Sequence, residues 1–266
     1  MDQRQTRVPY SDTSTSDDPL FLSSVARVVQ VLAAFETATQ PMTLQAIATA
    51  ARIDKSAAQR IVHTLRKLGV IMRDEGDHGY ILGLRILDMT LDFMRMNPLV
   101  KRANPVLLAL RRQVMERVDL SFFDDTRLIY ASRMPSKHET FHATLPGHSV
   151  PTYCTAGGIA VLSRLHDDQI RDIVKRSDLS PYTPFTVISI EQVLEHVQQA
   201  RVNGFACMQR QLLRDEIALG VCITGASGQP LGAIHVAGSL LEWQPEEFIR
   251  KISALLQEAG QTISMS

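Results

Sequence analysis

Residues 55–67, with the sequence KSAAQRIVHTLRK, decide the fold of the N-terminal part of this chain. Their basic and polar side chains fall within an arc of roughly 140° on a helical wheel. No acidic residue occurs between Lys55 and Arg73. The opposite, core-facing side is predicted to hold Ala58, Ile61, Leu65 and Leu68. The segment therefore predicts a helix with one apolar face and one basic face.

Two shorter helices are predicted ahead of this one. Ser24 is expected to cap the first, because apolar residues then recur at helical spacing. Thr43 is expected to cap a short second helix, which ends in a tight turn at Arg52-Ile53. Asp54 then caps the third helix, and Gly69 ends it. A short helix and a tight turn before a basic helix are typical of a helix-turn-helix.

A β-hairpin is predicted directly after Gly69. Residues 70–72 and 80–82 are rich in β-forming side chains, and the segment 74–79 between them has turn composition. The order of three helices and a hairpin predicts a winged helix-turn-helix. A winged fold used only for protein contacts is an alternative, but the basic face argues against it.

The basic face predicts a DNA-binding surface. Lysine and arginine neutralise phosphates, and glutamine can pair bidentately with adenine. The N-terminal residues of the second motif helix reach base edges, so Lys55, Ser56 and Gln59 are the predicted base readers. The full set of predicted DNA-binding residues is Thr43, Lys55, Ser56, Gln59, Arg60, His63, Arg66, Lys67 and Arg73.

The rest of the chain predicts an α+β multidomain protein. A helix from about Leu84 to Met96 is apolar on two sides, so we interpret it as a connector that also packs against a partner subunit. Asn104-Pro105 is predicted to begin another helix. The boundaries are 1–19 for a disordered tail, 20–83 for the winged helix-turn-helix, 84–102 for the connector helix and 103–266 for the C-terminal domain.

The C-terminal domain is predicted to contain a mostly antiparallel sheet. Helices are expected to begin near Thr155, at a Ser189–Gln192 capping box and at Pro245. Asn203-Gly204 is expected to end the second of these. The predicted strands are 120–123, 128–131, 141–145, 217–224 and 231–237.

Composition excludes several classes of protein. Lys+Arg and Asp+Glu number 28 each, so a nucleic-acid surface must be local. The three cysteines form no disulfide framework, which is typical of a reducing compartment. The polar N-terminus and the lack of long apolar runs predict a cytoplasmic protein without membrane contact. No nucleophile elbow or phosphate-binding loop occurs, so neither catalytic residues nor a cofactor are predicted.

The chain resembles the IclR-type transcription regulators over nearly all of residues 20–260. In the DNA-binding part the resemblance lies in Ser24–Arg27, Met42–Ala48 (MTLQAIA), Lys55–Arg60, Thr64–Gly69 (TLRKLG) and Tyr80–Gly83. In the C-terminal part it lies in Pro146-Gly147, Pro151–Gly158 (PTYCTAGG), Asn203–Ala206 (NGFA) and Gly228–Gly238 (GQPLGAIHVAG). The order and spacing of these pieces are specific, although each alone is weak.

The resemblance implies a homodimer or dimer of dimers on double-stranded operator DNA. It also implies a GAF-like C-terminal α/β sandwich that binds a small organic acid or metabolite. By position, the backbone of Ala156 and Gly157 would meet the effector's carboxylate, which suits a helix N-terminus. The full set of implied effector-binding residues is Leu145, Thr155, Ala156, Gly157, Met208, Gln211, Ala218, His235 and Ala237.

This sequence departs from the family pattern at three of these positions. Met208 replaces a common acid, Ala218 a common cysteine and Gln211 a common glutamate. The pocket is therefore expected to be less acidic and more apolar, which favours an aromatic or larger hydrophobic acid as the effector.

Two other kinds of site are weaker interpretations of the sequence. His138, Glu139, His142 and His148 could form a metal cluster, but their spacing matches no compact site, so no metal is predicted. Cys207 and Cys222 could form a redox pair, but buried strand residues are the simpler interpretation. The two alternative functions are a metabolite-transforming enzyme with an appended DNA-binding head, and an architectural DNA binder without a ligand.

Overall fold

The computed structural model describes residues 18–36, 38–136 and 146–264. The predicted tail therefore lies almost wholly outside the described residues, as does the predicted strand 141–145. The chain divides into two compact units, one ending at Arg95 and the other beginning at Met96. In the described residues no helix is long and apolar enough to cross a membrane.

The N-terminal unit contains three helices, a hairpin and a fourth helix. They are α1 (Ser23–Ala33), α2 (Leu44–Ala50), α3 (Lys55–Lys67), β1 (Ile71–Arg73), β2 (Tyr80–Leu82) and α4 (Arg85–Met96). β1 and β2 pair antiparallel. The order is that of a winged helix-turn-helix, which confirms the predicted fold of this unit.

Side-chain caps set the boundaries of α2 and α3. The Thr43 hydroxyl accepts a hydrogen bond from the Ala46 amide at 3.2 Å, and the Asp54 carboxylate accepts one from Ala57 at 2.8 Å. Arg52 turns the chain between the helices with a left-handed φ of 55°, and Gly69 follows α3 with a φ of 74°. Both predicted caps are confirmed.

Two details of the predicted N-terminal unit are wrong. α1 begins two residues earlier than predicted, with Leu22 rather than Ser24 at the N-cap, so Ser24 lies inside the helix and cannot cap it. Leu68 is 60% exposed rather than in the core, because it lies at the C-cap where the chain leaves the helix. The core is formed instead around Val31, Ile47 and Ile71, all almost fully buried.

The predicted helix start at Asn104-Pro105 is also wrong. Helix α5 runs over Pro98–Val114 and contains Pro105. Asn97 is the N-cap, and its side-chain oxygen accepts hydrogen bonds from Leu99 at 2.9 Å and Val100 at 3.3 Å. Two Asn-Pro pairs lie seven residues apart in the sequence, and the first carries the cap. The segment 84–102, predicted as one connector helix, therefore contains a helix break.

The C-terminal unit is built on a six-stranded antiparallel sheet with the order β5-β4-β3-β8-β7-β6. Its strands are β3 (Arg117–Asp124), β4 (Arg127–Met134), β5 (Ser149–Pro151), β6 (Ala206–Gln209), β7 (Glu216–Thr224) and β8 (Pro230–Ser239). Its other helices are α6 (Ala156–Leu162), α7 (Asp167–Arg176), α8 (Ile190–Asn203) and α9 (Pro245–Ser264). This is the α/β sandwich that the sequence predicted.

Helices cover both faces of this sheet. A Cβ atom added to Gly220 of β7 would lie 2.4 Å from the backbone oxygen of Ala156, so α6 is in close contact with that face. A Cβ atom added to Gly260 of α9 would lie 2.6 Å from Val221, the next residue of β7. Neighbouring strand residues point to opposite faces, so α6 and α9 lie on opposite sides.

Two elements of this unit, β5 and α7, were not predicted, and β6 was expected only in that Cys207 was interpreted as a strand residue. Strands β5 and β6 are only three and four residues long, and such short strands carry little periodic signal. Helix α7 had a clearer signal, because Ile170, Ile173 and Val174 are apolar at helical spacing and are buried. The Ser189 cap accepts from Gln192 at 3.3 Å, but the Gln192 side chain accepts from Ile188 and not from Ser189. The predicted capping box is thus only half formed.

Candidate DNA-binding face and effector cavity

The predicted DNA-binding residues of α3 all lie on its solvent-exposed face. The other face is buried through Ala57, Ala58, Val62 and Leu65. The exposed side chains are Lys55, Ser56, Gln59, Arg60, His63, Arg66 and Lys67. Thr43 is also exposed, but its hydroxyl caps α2. The side of α3 that faces solvent therefore presents only cationic or polar side chains between Lys55 and Lys67.

The wing is the hairpin formed by β1 and β2, and its residue Tyr80 contacts the end of α3. The guanidinium of Arg66 lies 6.0 Å from the centre of the Tyr80 ring, and that of Arg73 lies 4.5 Å from it. Arg73 also forms an ion pair with Asp77 at 2.9 Å. Cation–π contacts of this kind hold a positive charge in place without neutralising it. An open groove lies beside them, lined by His63, Arg66, Lys67, Arg73 and neighbouring wing residues.

The C-terminal unit contains a small cavity of about 20 Å³ between α6 and one face of the sheet. Of the predicted effector-binding residues, those that line it are Thr155, Ala156, Met208, Gln211, Ala218, His235 and Ala237. Gly157 does not line the cavity, but it lies close to the lining residue His235, since a Cβ atom added to Gly157 would be 2.7 Å from the His235 ring. Leu145 lies outside the described residues. The structure thus brings together seven side chains that are dispersed over 83 residues of sequence.

Strand register explains why these residues meet. Met208, Ala218, Ala237 and Arg117 are direct partners in a row across four strands, β6-β7-β8-β3. The two alanines in the centre of this row leave space beneath α6, because larger side chains would fill it. The row that follows it on the same face is Gly220, His235, Asp119 and Arg133.

These two rows place a buried ionic network beside the cavity. Arg117 binds Asp119 at 2.9 Å and Glu216 at 2.8 Å. Arg133 binds the other oxygen of Asp119 at 2.8 Å. Burial alone would raise the pKa of Asp119, but the charges of Arg117 and Arg133 lower it below its usual value. Removing one partner would leave a buried charge uncompensated, which is strongly destabilising.

His235 is neutral within this network. Burial lowers its pKa to about 4; the charge of Asp119 opposes this by raising the pKa, whereas the charges of Arg117 and Arg133 lower it further. Its Nε2 atom lies 2.8 Å from the Ser121 hydroxyl. Burial also raises the pKa of the neighbouring Tyr130 to about 12, so this phenol keeps its proton.

The sequence prediction missed four ionisable residues that also line the cavity: Arg117, Tyr130, Arg210 and Glu216. The signal that would have found those on strands is an ionisable residue at an inward position of a predicted strand, since buried charges need partners. The cavity wall is therefore more polar than the sequence prediction suggested.

Two predicted effector contacts have side chains engaged in local structure. The Thr155 hydroxyl donates to Pro151 at 2.9 Å and accepts from Gly158 at 3.1 Å, as the cap of α6. The Gln211 amide donates to Phe185 and Gln209 at 2.9 Å, and its oxygen accepts from Val187 at 2.8 Å. A glutamate at position 211 could not donate the first two bonds. Gln211, which lines the cavity, therefore links the segment 185–187 to the end of β6.

The remaining sequence alternatives have no support in the described residues. His138, Glu139 and His142 lie outside them, and His148 stacks on Tyr130 with ring centres 6.2 Å apart. Within the described ranges no group of three or more ligating side chains is placed to hold a metal ion. Cys207 and Cys222 are free thiols. Burial raises their pKa values to about 11 and about 12, so both remain protonated.

Comparison with known proteins agrees with this architecture. A curated relative, the Pca regulon regulatory protein of Pseudomonas putida, is 28% identical over 221 residues, or 83% of this chain and 75% of that protein. The crystal structure of an IclR transcriptional regulator from Alicyclobacillus acidocaldarius superposes with a TM-score of 0.80 at 20% identity, covering 92% of this chain and 98% of that chain.

A second solved structure is an IclR homolog complexed with 4-hydroxybenzoate, from Microbacterium hydrocarbonoxydans. It superposes with a TM-score of 0.74 at 19% identity, covering 91% of this chain and 98% of that chain. At this level of identity the two structures show that the fold is shared.

Family matches cover both units. Residues 24–75 match the IclR helix-turn-helix domain, and residues 92–265 match the family described as bacterial transcriptional regulator IclR C-terminal. The second match alone spans more than half of the chain. The protein is therefore a DNA-binding transcription regulator and not an enzyme, and it belongs to the IclR family.

Proposed function

We propose that the exposed face of α3 reads operator DNA, with Lys55, Ser56 and Gln59 on base edges. The observation that carries this proposal is the segregation of α3 into a buried apolar face and a fully exposed basic face. Arg60, Arg66 and Lys67 contact phosphates, where each neutralised charge adds affinity that falls with salt. Arg73 reaches the backbone from the wing while it remains paired with Asp77.

The DNA assignment is tested by fluorescence anisotropy with the natural operator and a scrambled duplex. Lys55→Ala and Gln59→Ala should lower the preference for the operator by about 5- to 100-fold each, because a good base contact contributes about 1–3 kcal/mol of discrimination. Lys67→Ala should weaken binding to both duplexes and reduce the salt dependence. Full sequence preference in both of the first two variants would refute the assignment of base readers.

We further propose that the cavity takes an organic acid with an aromatic or hydrophobic body. Met208, Ala218 and Ala237 provide an apolar floor in one row of the sheet. The carboxylate lies at the start of α6, near Ala156 and Gly157. The relative from Microbacterium was crystallised with 4-hydroxybenzoate, which is an acid of this class. The Gln211 side chain is engaged with the backbone of Phe185 and Val187 and need not touch the effector.

Such an acid must widen the cavity to enter. A volume of about 20 Å³ is far below the roughly 300 Å³ at which drug-sized pockets begin. The effector therefore binds a minor, expanded state and shifts the population toward it. A melting-temperature screen of aromatic and small hydroxy-acids tests the class. Stabilisation by small hydroxy-acids only would contradict it.

The oligomer is proposed to be a homodimer or dimer of dimers that works in the cytoplasm, where the DNA is. Leu84, directly before α4, and Leu87 and Leu91 of α4 are 74%, 66% and 65% exposed. Large apolar side chains repeated along one helix face are typical of a protein interface. Sedimentation analysis of the full chain, with Leu87→Glu as the variant, tests this directly.

A further inference from the structure

We infer that Asp77 limits the affinity for DNA by holding Arg73 in an ion pair within the wing, where the same arginine is the wing's contact for phosphate. This inference rests on the proposed function, because it concerns the wing contact of the DNA-binding face. It assigns a role to an acidic residue that the sequence alone places only in a turn.

Arg73 is the main source of positive charge in the wing. It is the single lysine or arginine among residues 71–82. Its guanidinium lies 4.5 Å from the centre of the Tyr80 ring, and that of Arg66, at the end of α3, lies 6.0 Å from the same ring. The basic face of α3 therefore extends onto the wing through Arg73. It stops there, since three of the next four residues are acidic.

Both terminal nitrogens of Arg73 are engaged inside the wing. Nη1 lies 2.9 Å from a carboxylate oxygen of Asp77, and it donates to the Asp77 backbone oxygen at 3.3 Å. Nη2 donates to the Tyr80 hydroxyl at 3.3 Å. The Arg73 side chain is nevertheless 40% exposed, so a phosphate can reach the guanidinium. The phosphate must then share that group with Asp77 or displace the Asp77 carboxylate.

The turn at the tip of the wing fixes the position of Asp77. The Asp74 carboxylate accepts hydrogen bonds from the Gly79 amide at 2.7 Å and from the Gly76 amide at 3.2 Å. The Asp77 amide donates to the Asp74 backbone oxygen at 3.1 Å, and Asp77 adopts a left-handed φ of 54°. Its side chain is 81% exposed and pairs with Arg73. Asparagine tolerates the same backbone conformation, so the charge can be removed without reshaping the turn.

Charge explains why this ion pair restrains binding. A duplex carries one phosphate charge about every 1.7 Å along its axis, and a cation adds affinity by displacing condensed counterions. A guanidinium that is already paired with a carboxylate has almost no net charge to offer, so it displaces few of them. An exposed ion pair shifts an equilibrium by at most about 5-fold. Asp77 therefore weakens the phosphate contact of Arg73 without abolishing it.

The test is fluorescence anisotropy of the full-length protein with two labelled duplexes, the natural operator and a scrambled sequence of equal length. Asp77→Asn should bind both duplexes about 3- to 5-fold more tightly at low salt, because the released Arg73 neutralises a phosphate. The slope of log affinity against log salt should steepen by up to about 0.9. The preference for the operator should not change, since a phosphate contact carries no sequence information.

Glu75→Gln is the matched control. It removes the same charge from an exposed residue of the same tip, but the ion-pair partner of Arg73 is Asp77. Glu75→Gln should therefore change both affinities by less than about 2-fold. Circular dichroism melting of the N-terminal unit checks that each variant is folded.

A double-mutant cycle isolates the cause. Arg73→Gln removes the cation. In that background Asp77→Asn should change the affinity by less than about 2-fold, because no arginine is left to release. General repulsion between the acidic tip and DNA would instead give the same gain with and without Arg73.

The outcomes separate this inference from the proposed function. An unchanged affinity of Asp77→Asn, an equal gain in Glu75→Gln, or a gain that persists without Arg73 would overturn the inference, while the base readers of α3 stand. A wild type that binds the operator no better than the scrambled duplex would refute the proposed base reading. The inference would then still be tested by the affinities of the same variants for the scrambled duplex.

Discussion

The neutral His235 predicts a loss of stability in mild acid. Burial lowers its pKa from the ordinary 6.5 to about 4. Between these values the unfolded chain binds a proton that the folded chain does not, so the free energy of unfolding falls as the pH decreases. Over the whole interval, this pKa shift lowers the free energy of unfolding by about 3 kcal/mol, at 1.36 kcal/mol per pH unit. About 2 kcal/mol of it is lost between pH 7 and pH 5.

The assay is urea unfolding at pH 7 and pH 5, followed by the fluorescence of Trp243. This is the protein's single tryptophan, and it is buried in the C-terminal unit against Phe248. His235→Gln can retain a hydrogen bond to Ser121 but does not titrate. Between pH 7 and pH 5, the free energy of unfolding should fall by about 2 kcal/mol more in the wild type than in this variant.

Other groups are controlled in the same experiment. Burial also lowers the pKa of His196, so this histidine too makes the free energy of unfolding fall as the pH decreases. The variant His196→Asn measures its contribution. The pKa values of Asp119 and Asp125 lie below 3.8, so these carboxylates stay ionised at pH 5. If His235→Gln loses as much stability as the wild type, His235 is not buried as a neutral imidazole and the reasoning is refuted.

Three further predictions concern separate parts of the chain. Asp54→Ala removes the cap of α3 and should cost about 1 kcal/mol, seen as earlier thermal unfolding of the N-terminal unit by circular dichroism. Gly220→Ala would place a Cβ 2.4 Å from backbone and should cost about 1–3 kcal/mol in urea unfolding. Gly225→Ala, whose Cβ meets only the flexible end of Gln229, is its control. Leu91→Glu should shift sedimentation toward the monomer and leave tryptophan fluorescence unchanged.

The N-terminal fold could be predicted because its signals are local. Thr43 and Asp54 cap helices within three residues of their partners, and the faces of α3 follow from helical spacing alone. In the other unit, the start of α5 was predicted wrongly because two local signals compete. Asn97-Pro98 and Asn104-Pro105 are equally good helix starts in sequence, and the structure uses the first.

The cavity wall could not be predicted in the same way, because it depends on strand register. Arg117 reaches the cavity only because it pairs with Ala237, which itself pairs with Ala218. A shift of one residue in β3 would turn Val118 toward α6 and Arg117 away. Family resemblance supplied Ala218, His235 and Ala237, but Arg117 and Glu216 belong to the polar network of this chain. Register between distant strands is set by the packing of both faces, which periodicity in one segment does not contain.

The small cavity has a consequence for how an effector could control DNA binding. A ligand with equal affinity for two states shifts neither. Because the cavity of about 20 Å³ holds roughly one water-sized group, the aromatic acid proposed as the effector would bind an open state more tightly than the closed one. Its measured affinity is then reduced by the fraction of molecules that are open. Substitutions that remove the hydrogen bonds between Gln211 and the backbone of Phe185 and Val187 should raise the fraction of open molecules. They should therefore strengthen effector binding and reduce the regulatory response, since the open state would already be populated without ligand.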